Sequence, residues 1–210
     1  MKLKVCGMKY LRNIRDLEAQ VRPDWMGLIF YPPSPRFAGE NADPEISKVS
    51  MKKVGVFVNE PSASILQKVE AFGLSGVQLH GDETVGQVQE IKEKSGLEVF
   101  KVFKVKDEML WSELESYLPW VDYFLFDTYT KDHGGSGKTF DWGVLRDYPF
   151  EKPFLLSGGV DMDQVHAISE LKKNLHQFAG LDINSKFEIE PGLKDIAKVK
   201  GFKEELKNIR

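Results

Sequence analysis

The sequence predicts an α/β fold, a (β/α)₈ TIM barrel built by a single domain over residues 1–210. Eight short apolar runs follow one another, and segments with helical periodicity lie between most of them. Several runs are apolar on both faces, as expected for parallel strands covered by helices. An open doubly wound sheet is the alternative, but no G-x-G-x-x-G turn follows the first run.

The predicted strands are short stretches rich in β-branched and aromatic residues. They cover residues 3–7, 25–30, 53–58, 76–81, 98–105, 123–128, 153–159 and 178–184. Eight such units in series imply parallel strands joined by right-handed crossovers, and a closed barrel is the natural arrangement for them.

The predicted helices show apolar residues at helical spacing. In the first helix these are Leu11, Ile14 and Leu17. The second, over residues 62–73, starts with a serine cap and stops at Gly73. The same period is found in residues 82–96 and 163–175 and more briefly in 110–118, whereas residues 44–51 have room for only a turn or two.

Composition and charge exclude several classes of protein. A net charge of -3 without a basic tract does not favour nucleic acid as a partner. The single cysteine cannot form an internal disulfide, which fits a cytoplasmic location. No stretch has the length or apolarity of a signal peptide or membrane span. We therefore expect a small-molecule partner, no membrane, and a chain that acts as a monomer or homodimer.

Polar residues gather where the predicted strands end. In a (β/α)₈ barrel, the carboxyl ends of the strands and the loops after them build the active site. Five strands end in groups that can take part in chemistry: Cys6, His80, Asp127, Ser157 and Asp182. We expect these side chains to meet at one rim.

Glycines in two of these loops indicate a phosphate site. Backbone N–H groups of glycines can approach an anion closely, and barrels often bind phosphate after strands seven and eight. The expected phosphate-binding residues are Gly134, Gly135, Gly158, Gly159, Asn184 and Ser185. The alternative is that these glycines only make turns.

Cys6 and Asp127 are the candidate acid–base pair. Strands one and six are well separated around a barrel, so their end residues can face each other across a substrate. A thiol with a lowered pKa accepts a proton, and a carboxyl with a raised pKa donates one. Lys4 and Lys9 flank the thiol, and a nearby ammonium favours the thiolate. Alternatively, Cys6 is a buried hydrophobe and Asp127 a loop carboxylate.

Arg36 and His80 are candidate substrate contacts. Arg36 lies in a proline-stiffened loop after strand two, and its planar guanidinium suits a carboxylate. His80 could contact substrate or be a structural histidine. The other histidines show no ligand spacing with cysteine or carboxylates, so no metal site is indicated.

Together these motifs resemble one family, the phosphoribosylanthranilate isomerases of tryptophan biosynthesis. The resemblance runs nearly end to end. It rests on the order and spacing of "KVCGMK", "MGLIFYPPSPRF", "VGVFVN", "VQLHGDE", "FDT" with "GGSGKTFDW", "LSGGV" and "LDINSKFEIEPGLKD". One departure stands in the eighth loop, where Asn184 replaces the family's usual serine and Lys186 its usual glycine.

The resemblance implies an intramolecular aldose–ketose isomerase. It would convert N-(5-phosphoribosyl)anthranilate to 1-(2-carboxyphenylamino)-1-deoxyribulose 5-phosphate by an Amadori rearrangement, without a cofactor. Asp127 would be the general acid and Cys6 the general base, with Arg36 on the anthranilate carboxylate and Asp182 near the sugar. Two alternatives remain: an indole-glycerol-phosphate-synthase-like barrel, which would need a lysine where Cys6 stands, and a non-catalytic phosphosugar-binding barrel.

Overall fold

The computed structural model describes residues 1–39, 42–105, 109–127 and 142–209. Eight parallel strands form a closed barrel in chain order, in which β1 pairs with both β2 and β8. The strands are β1 (Lys2–Val5), β2 (Trp25–Ile29), β3 (Lys53–Phe57), β4 (Gly76–Leu79), β5 (Glu98–Lys104), β6 (Tyr123–Asp127), β7 (Phe154–Ser157) and β8 (Phe178–Ile183). The predicted (β/α)₈ barrel is confirmed.

Helices of unequal length connect the strands. The α-helices are α1 (Leu11–Gln20), α2 (Ser62–Phe72), α3 (Val85–Ser95), α4 (Ser112–Glu115), α5 (Val165–Asn174) and α6 (Ile196–Lys207). Short 3₁₀ helices cover Pro44–Lys48, Trp142–Asp147, Met162–Gln164 and Ser185–Phe187. The segment after β2 is therefore a single short 3₁₀ helix, in agreement with its predicted length.

The ends of α2 test two of the predictions. Gly73 adopts the left-handed conformation with φ 56° and ends the helix as predicted. The serine cap is wrong, because Pro61 holds the cap position and Ser62 already belongs to the helix. The Ser62 hydroxyl instead donates to Glu90 on α3, so this side chain ties two neighbouring helices together.

Alternation along the strands sorts side chains between two buried regions. On β1, Leu3 and Val5 belong to the apolar cluster that also contains Ile14 and Leu17 of α1. Lys4 lies between them in sequence, so its side chain points to the opposite side, into the barrel, where it is fully buried. The helices thus cover one face of each strand, and the barrel interior is a separate compartment.

The barrel interior has two layers of different chemistry. We call the first the apolar layer; it consists of Trp25, Val54, Phe100, Val102, Leu125 and Leu155. Asp127 and Ser157 follow Leu125 and Leu155 by two positions, so they point into the same interior nearer the carboxyl ends of the strands. We call that second level, made of Lys4, Cys6, Gln78, Asp127, Ser157 and Asp182, the polar layer.

A small antiparallel hairpin follows the eighth strand and was not predicted. It consists of β9 (Glu188–Glu190) and β10 (Leu193–Lys194), and its turn contains Gly192 with φ 90°. The hairpin carries Glu188 and Lys194 to the rim beside β1. None of the described helices is long and apolar enough to cross a membrane.

Candidate active site

A cavity of about 180 Å³ opens at the carboxyl ends of the strands. It brings together most of the residues predicted for the site. Its lining residues are Cys6, Ile29, Val56, Gln78, His80, Asp127, Ser157, Gly158, Gly159, Val160, Asp182, Asn184, Ser185 and Lys186. The candidate acid and base therefore stand on β6 and directly after β1, at one common cavity.

Arg36 does not line this cavity, but it lies next to the base. A Cβ on Gly7 would meet the Arg36 Cδ at 2.8 Å and the Asn184 Oδ1 at 2.6 Å. Gly7 also has a φ of 74°, a conformation that glycine adopts without strain. The glycine after Cys6 therefore lets the Arg36 side chain cross the backbone at the rim.

The Arg36 guanidinium is held by Glu188, a residue that sequence reasoning missed. Nε donates to both carboxylate oxygens at 2.9 and 3.0 Å, and Nη2 donates to Oε2 at 2.6 Å. Lys194 donates to the same carboxylate at 2.6 Å and to Asn184 Oδ1 at 2.7 Å. Burial acts to raise the pKa of Glu188, but hydrogen bonds from Arg36 and Lys194 bring it below its usual value.

A second buried ion pair stands directly beside Cys6. Lys4 Nζ donates to Asp182 Oδ2 at 2.8 Å, and neither side chain is more than 5% exposed. Burial acts to lower the pKa of Lys4, yet Asp182 and Cys6 raise it above its usual value. Burial raises the pKa of Asp182, and Lys4 opposes that shift. This pair was not predicted, although a lysine inside an apolar strand was a visible signal for it.

The Cys6 thiol does not have the lowered pKa expected of a base in the ligand-free protein. Burial raises its pKa, whereas the charges of Lys4 and Lys194 and a hydrogen bond with Lys4 act to lower it. Lys9, the other lysine named from the sequence, lies against Gly192 and over the Tyr10 ring.

His80 links Asp127 to Gln78. Its Nε2 lies 3.3 Å from Asp127 Oδ2, and its Nδ1 lies 3.3 Å from the Gln78 side-chain nitrogen. The Gln78 oxygen is buried and finds no hydrogen-bond partner among the described residues. Gln78 was missed, and its signal was a polar residue at an interior position of a buried strand.

A larger cavity of about 550 Å³ lies on the other side of His80, along β5. Its most deeply buried charges are already paired with each other, because Lys101 donates to Glu83 at 2.9 Å and to the Gly81 carbonyl at 2.7 Å. The Cys6 thiol and the carboxyl of Asp127 line the smaller cavity, which is therefore the candidate active site.

Two of the predicted phosphate residues, Gly134 and Gly135, lie outside the described residues. Gly158 and Gly159 follow β7 with φ values of 84° and 66°, and they line the cavity together with Asn184 and Ser185. Within the described ranges, no group of three or more histidine, cysteine and carboxylate side chains could hold a metal ion.

Comparisons with known proteins agree on one family. Residues 3–205 match the family model described as N-(5'phosphoribosyl)anthranilate (PRA) isomerase. The N-(5'-phosphoribosyl)anthranilate isomerase of Phocaeicola vulgatus is 46% identical over 210 residues, covering 99% of this chain and 98% of the relative.

Solved structures give the same answer. The crystal structure of phosphoribosyl anthranilate isomerase from Thermotoga maritima matches with a TM-score of 0.81 and 31% identity, covering 99% of each chain. A crystal structure of a phosphoribosyl anthranilate isomerase in complex with reduced 1-(o-carboxyphenylamino)-1-deoxyribulose 5-phosphate matches with a TM-score of 0.78 and 27% identity, again covering 99% of each chain. Because the family model spans nearly the whole sequence, the chain belongs to the N-(5'-phosphoribosyl)anthranilate isomerase family.

Proposed function

We propose that this isomerase converts N-(5-phosphoribosyl)anthranilate to 1-(2-carboxyphenylamino)-1-deoxyribulose 5-phosphate, with Asp127 as general acid and Cys6 as general base. The observation that carries the assignment is that a thiol and a carboxyl from well-separated strands line one cavity of about 180 Å³. Binding alone needs neither group, so their convergence favours catalysis over a non-catalytic phosphosugar-binding barrel.

The reaction needs one proton donated and one removed. Asp127 donates to the ribose ring oxygen, the C1–O bond breaks, and the nitrogen lone pair forms an iminium. The Cys6 thiolate then removes the C2 proton, and the C–H electron pair neutralises the iminium to give an enolamine. Tautomerisation of the enolamine gives the ketone, so atoms and charge balance and no cofactor is consumed.

Arg36 is proposed to bind the anthranilate carboxylate. Glu188 contacts its Nε and Nη2, and no described residue occupies Nη1. The guanidinium is thus fixed along one edge while another edge is left for a second carboxylate.

Asp182 and His80 are proposed to face the sugar. The buried Asp182 Oδ1 has no hydrogen-bond partner among the described residues, although Oδ2 is taken by Lys4. A buried carboxylate oxygen without a partner is costly, and a sugar hydroxyl donated to it would remove that cost. His80 lines the same cavity beside Asp127.

The phosphate is proposed to bind at the loops that follow β7 and β8. Gly158 and Gly159 line the cavity wall, where the backbone of a glycine can approach an anion closely, and Asn184 and Ser185 line the same cavity. Lys186, which replaces a usual family glycine, lines it as well and adds a positive charge. Gly134 and Gly135 remain predicted contributors from the preceding loop.

The substrate partner is a phosphorylated small molecule. A monomeric or homodimeric state, a single domain over residues 1–210 and a cytoplasmic location remain predictions that accompany this proposal.

The test is a fluorescence assay that follows loss of the anthranilate substrate. Cys6→Ala and Asp127→Asn should each lower kcat by roughly 10²- to 10⁴-fold, the range that a positioned acid or base supplies. Asp122→Asn is the matched control, because Asp122 lies at the other end of β6 and binds Lys92 and the Val99 N–H. That variant should keep kcat.

Circular dichroism and thermal unfolding establish that the variants are folded. Full activity of folded Cys6→Ala would refute the proposed base, and full activity of folded Asp127→Asn would refute the proposed acid. Tight binding of the substrate by the wild-type protein without any turnover would instead identify a binding barrel.

A further inference from the structure

Two lysine side chains with no exposed surface stand beside the thiol. Lys4 pairs with Asp182 at 2.8 Å, and Lys194 pairs with Glu188 at 2.6 Å; both lysine side chains are 0% exposed. Buried ammonium groups are rare and costly even when they are paired. The proton transfers proposed above use neither lysine. Because burying them is costly, we expect that they serve a function at the site.

Lys4 and Cys6 share one side of the barrel wall. They are two residues apart at the end of β1, so their side chains project in the same direction. A Cβ on Gly27 of the neighbouring strand would lie 2.8 Å from the Cys6 sulfur and 3.1 Å from the Lys4 nitrogen. The two side chains therefore flank the same position on the backbone of β2, which has no side chain of its own, and the charge of Lys4 acts to lower the pKa of Cys6.

We propose that Lys4, held in place by Asp182, is a positioning residue that stabilises the thiolate form of Cys6 against burial, so that the sulfur can accept the C2 proton. The inference rests on the proposed role of Cys6 as base. Lys4 keeps its own proton throughout: the thiolate form of the sulfur takes the proton from C2, and the ammonium only compensates the negative charge of that form.

The other charges around the thiol fit this assignment. Lys194 on β10 adds a second positive charge, Asp182 on β8 opposes both lysines, and Asp127 with His80 stands across the cavity. Burial acts to lower the pKa of Lys4, but Asp182 and Cys6 raise it above its usual value, so Lys4 is an ammonium at neutral pH. Without Lys4, burial and Asp182 would both disfavour the thiolate.

The experiment measures the thiol directly. Cys6 is the only cysteine, so alkylation by iodoacetamide, an uncharged reagent, reports its thiolate fraction as pH is varied. Lys4→Met should slow alkylation at neutral pH by roughly tenfold to a hundredfold, because loss of a nearby opposite charge raises a pKa by about one to two units. The pH at which thiolate absorbance appears should rise with it, while Lys4→Arg should restore both.

A second variant and a control make the test decisive. Lys4→Gln still donates to Asp182 but carries no charge, so it serves if Lys4→Met does not fold. Lys53→Met is the matched control, since Lys53 is also buried but donates to the Val49 carbonyl at the start of β3. It should leave alkylation unchanged.

The outcomes separate this inference from the assignment of the base. Alkylation of Lys4→Gln at the wild-type rate at every pH would overturn the role of Lys4. Slower alkylation together with a matching rise in the pH at which kcat appears would support it. Slower alkylation with an unchanged kcat–pH profile would keep Lys4 as the thiolate's partner and refute Cys6 as the base.

Discussion

The apolar and polar layers of the barrel interior lie side by side but are opposite in chemistry. In the apolar layer, Trp25 packs edge-on against Phe100 with ring centroids 5.3 Å apart, and Tyr123 stacks on Phe100 at 5.0 Å. Lys4, Asp182 and the thiol are buried in the same interior, on β1 and β8 and directly after β1. Position along a strand, not depth of burial, therefore decides which groups carry charge.

The comparison shows how stability and chemistry are divided. Aromatic packing in the apolar layer closes the barrel where no substrate reaches. The polar layer carries groups that are expensive to bury, each held by an opposite charge or facing the cavity. Substitutions should therefore separate the layers: those in the apolar layer should change stability, and those around the cavity should change activity or its pH dependence.

The largest stability effect is expected for Phe100→Ala. The ring is fully buried between Trp25 and Tyr123, and its removal leaves a cavity in the layer. The free energy of unfolding should fall by about 4 kcal/mol. Chemical denaturation measures the loss, and kcat per folded molecule should stay near the wild-type value. A drop in kcat without a loss of stability would show that the two layers are not separable.

Glu188→Gln should give the next largest effect and connect stability to pH. The carboxylate joins Arg36 and Lys194, and removing its charge should cost about 3 kcal/mol at neutral pH. Because its pKa is lowered in the folded protein, its contribution is complete above the unfolded pKa and disappears as pH falls through the folded pKa. The stability gap between wild type and variant should therefore narrow in acid.

Denaturation curves at neutral and acidic pH measure that gap. KM should also rise, because Arg36 loses the contact that orients it. Glu190→Gln is the matched control on the same hairpin, since Glu190 is exposed. A gap that stays constant down to strongly acidic pH would show that the charge of Glu188 is not what stabilises the hairpin.

The sequence predicted the fold and the rim more fully than the contacts within the rim. Strand order follows from apolar runs and turn residues, and strand ends point to Cys6, Asp127 and Asp182. The role of Glu188 was not predicted, because it depends on a hairpin whose strands have only three and two residues. Strands of that length are too short to show periodicity. The pairing of Lys4 with Asp182 depends on the register of β1 against β8, the strand pair that closes the barrel. The two residues are 178 positions apart in the sequence, so no local pattern indicates their contact.

Trp25→Phe should cause the smallest loss of stability, and it tests the contribution of a polar contact at the edge of the apolar layer. The indole N–H donates to Glu98 Oε2 at 2.7 Å, and the Lys2 ammonium lies 4.7 Å from the ring centroid. Phenylalanine keeps an aromatic ring but loses the hydrogen bond and part of the buried volume, so the free energy of unfolding should fall by about 2 kcal/mol with kcat unchanged. Tyr123→Phe is the control, because its hydroxyl makes no hydrogen bond to the described residues, and it should stay within about 0.5 kcal/mol of wild type. Equal losses in the two variants would mean that ring packing alone, without the Glu98 contact, sets the stability of this layer.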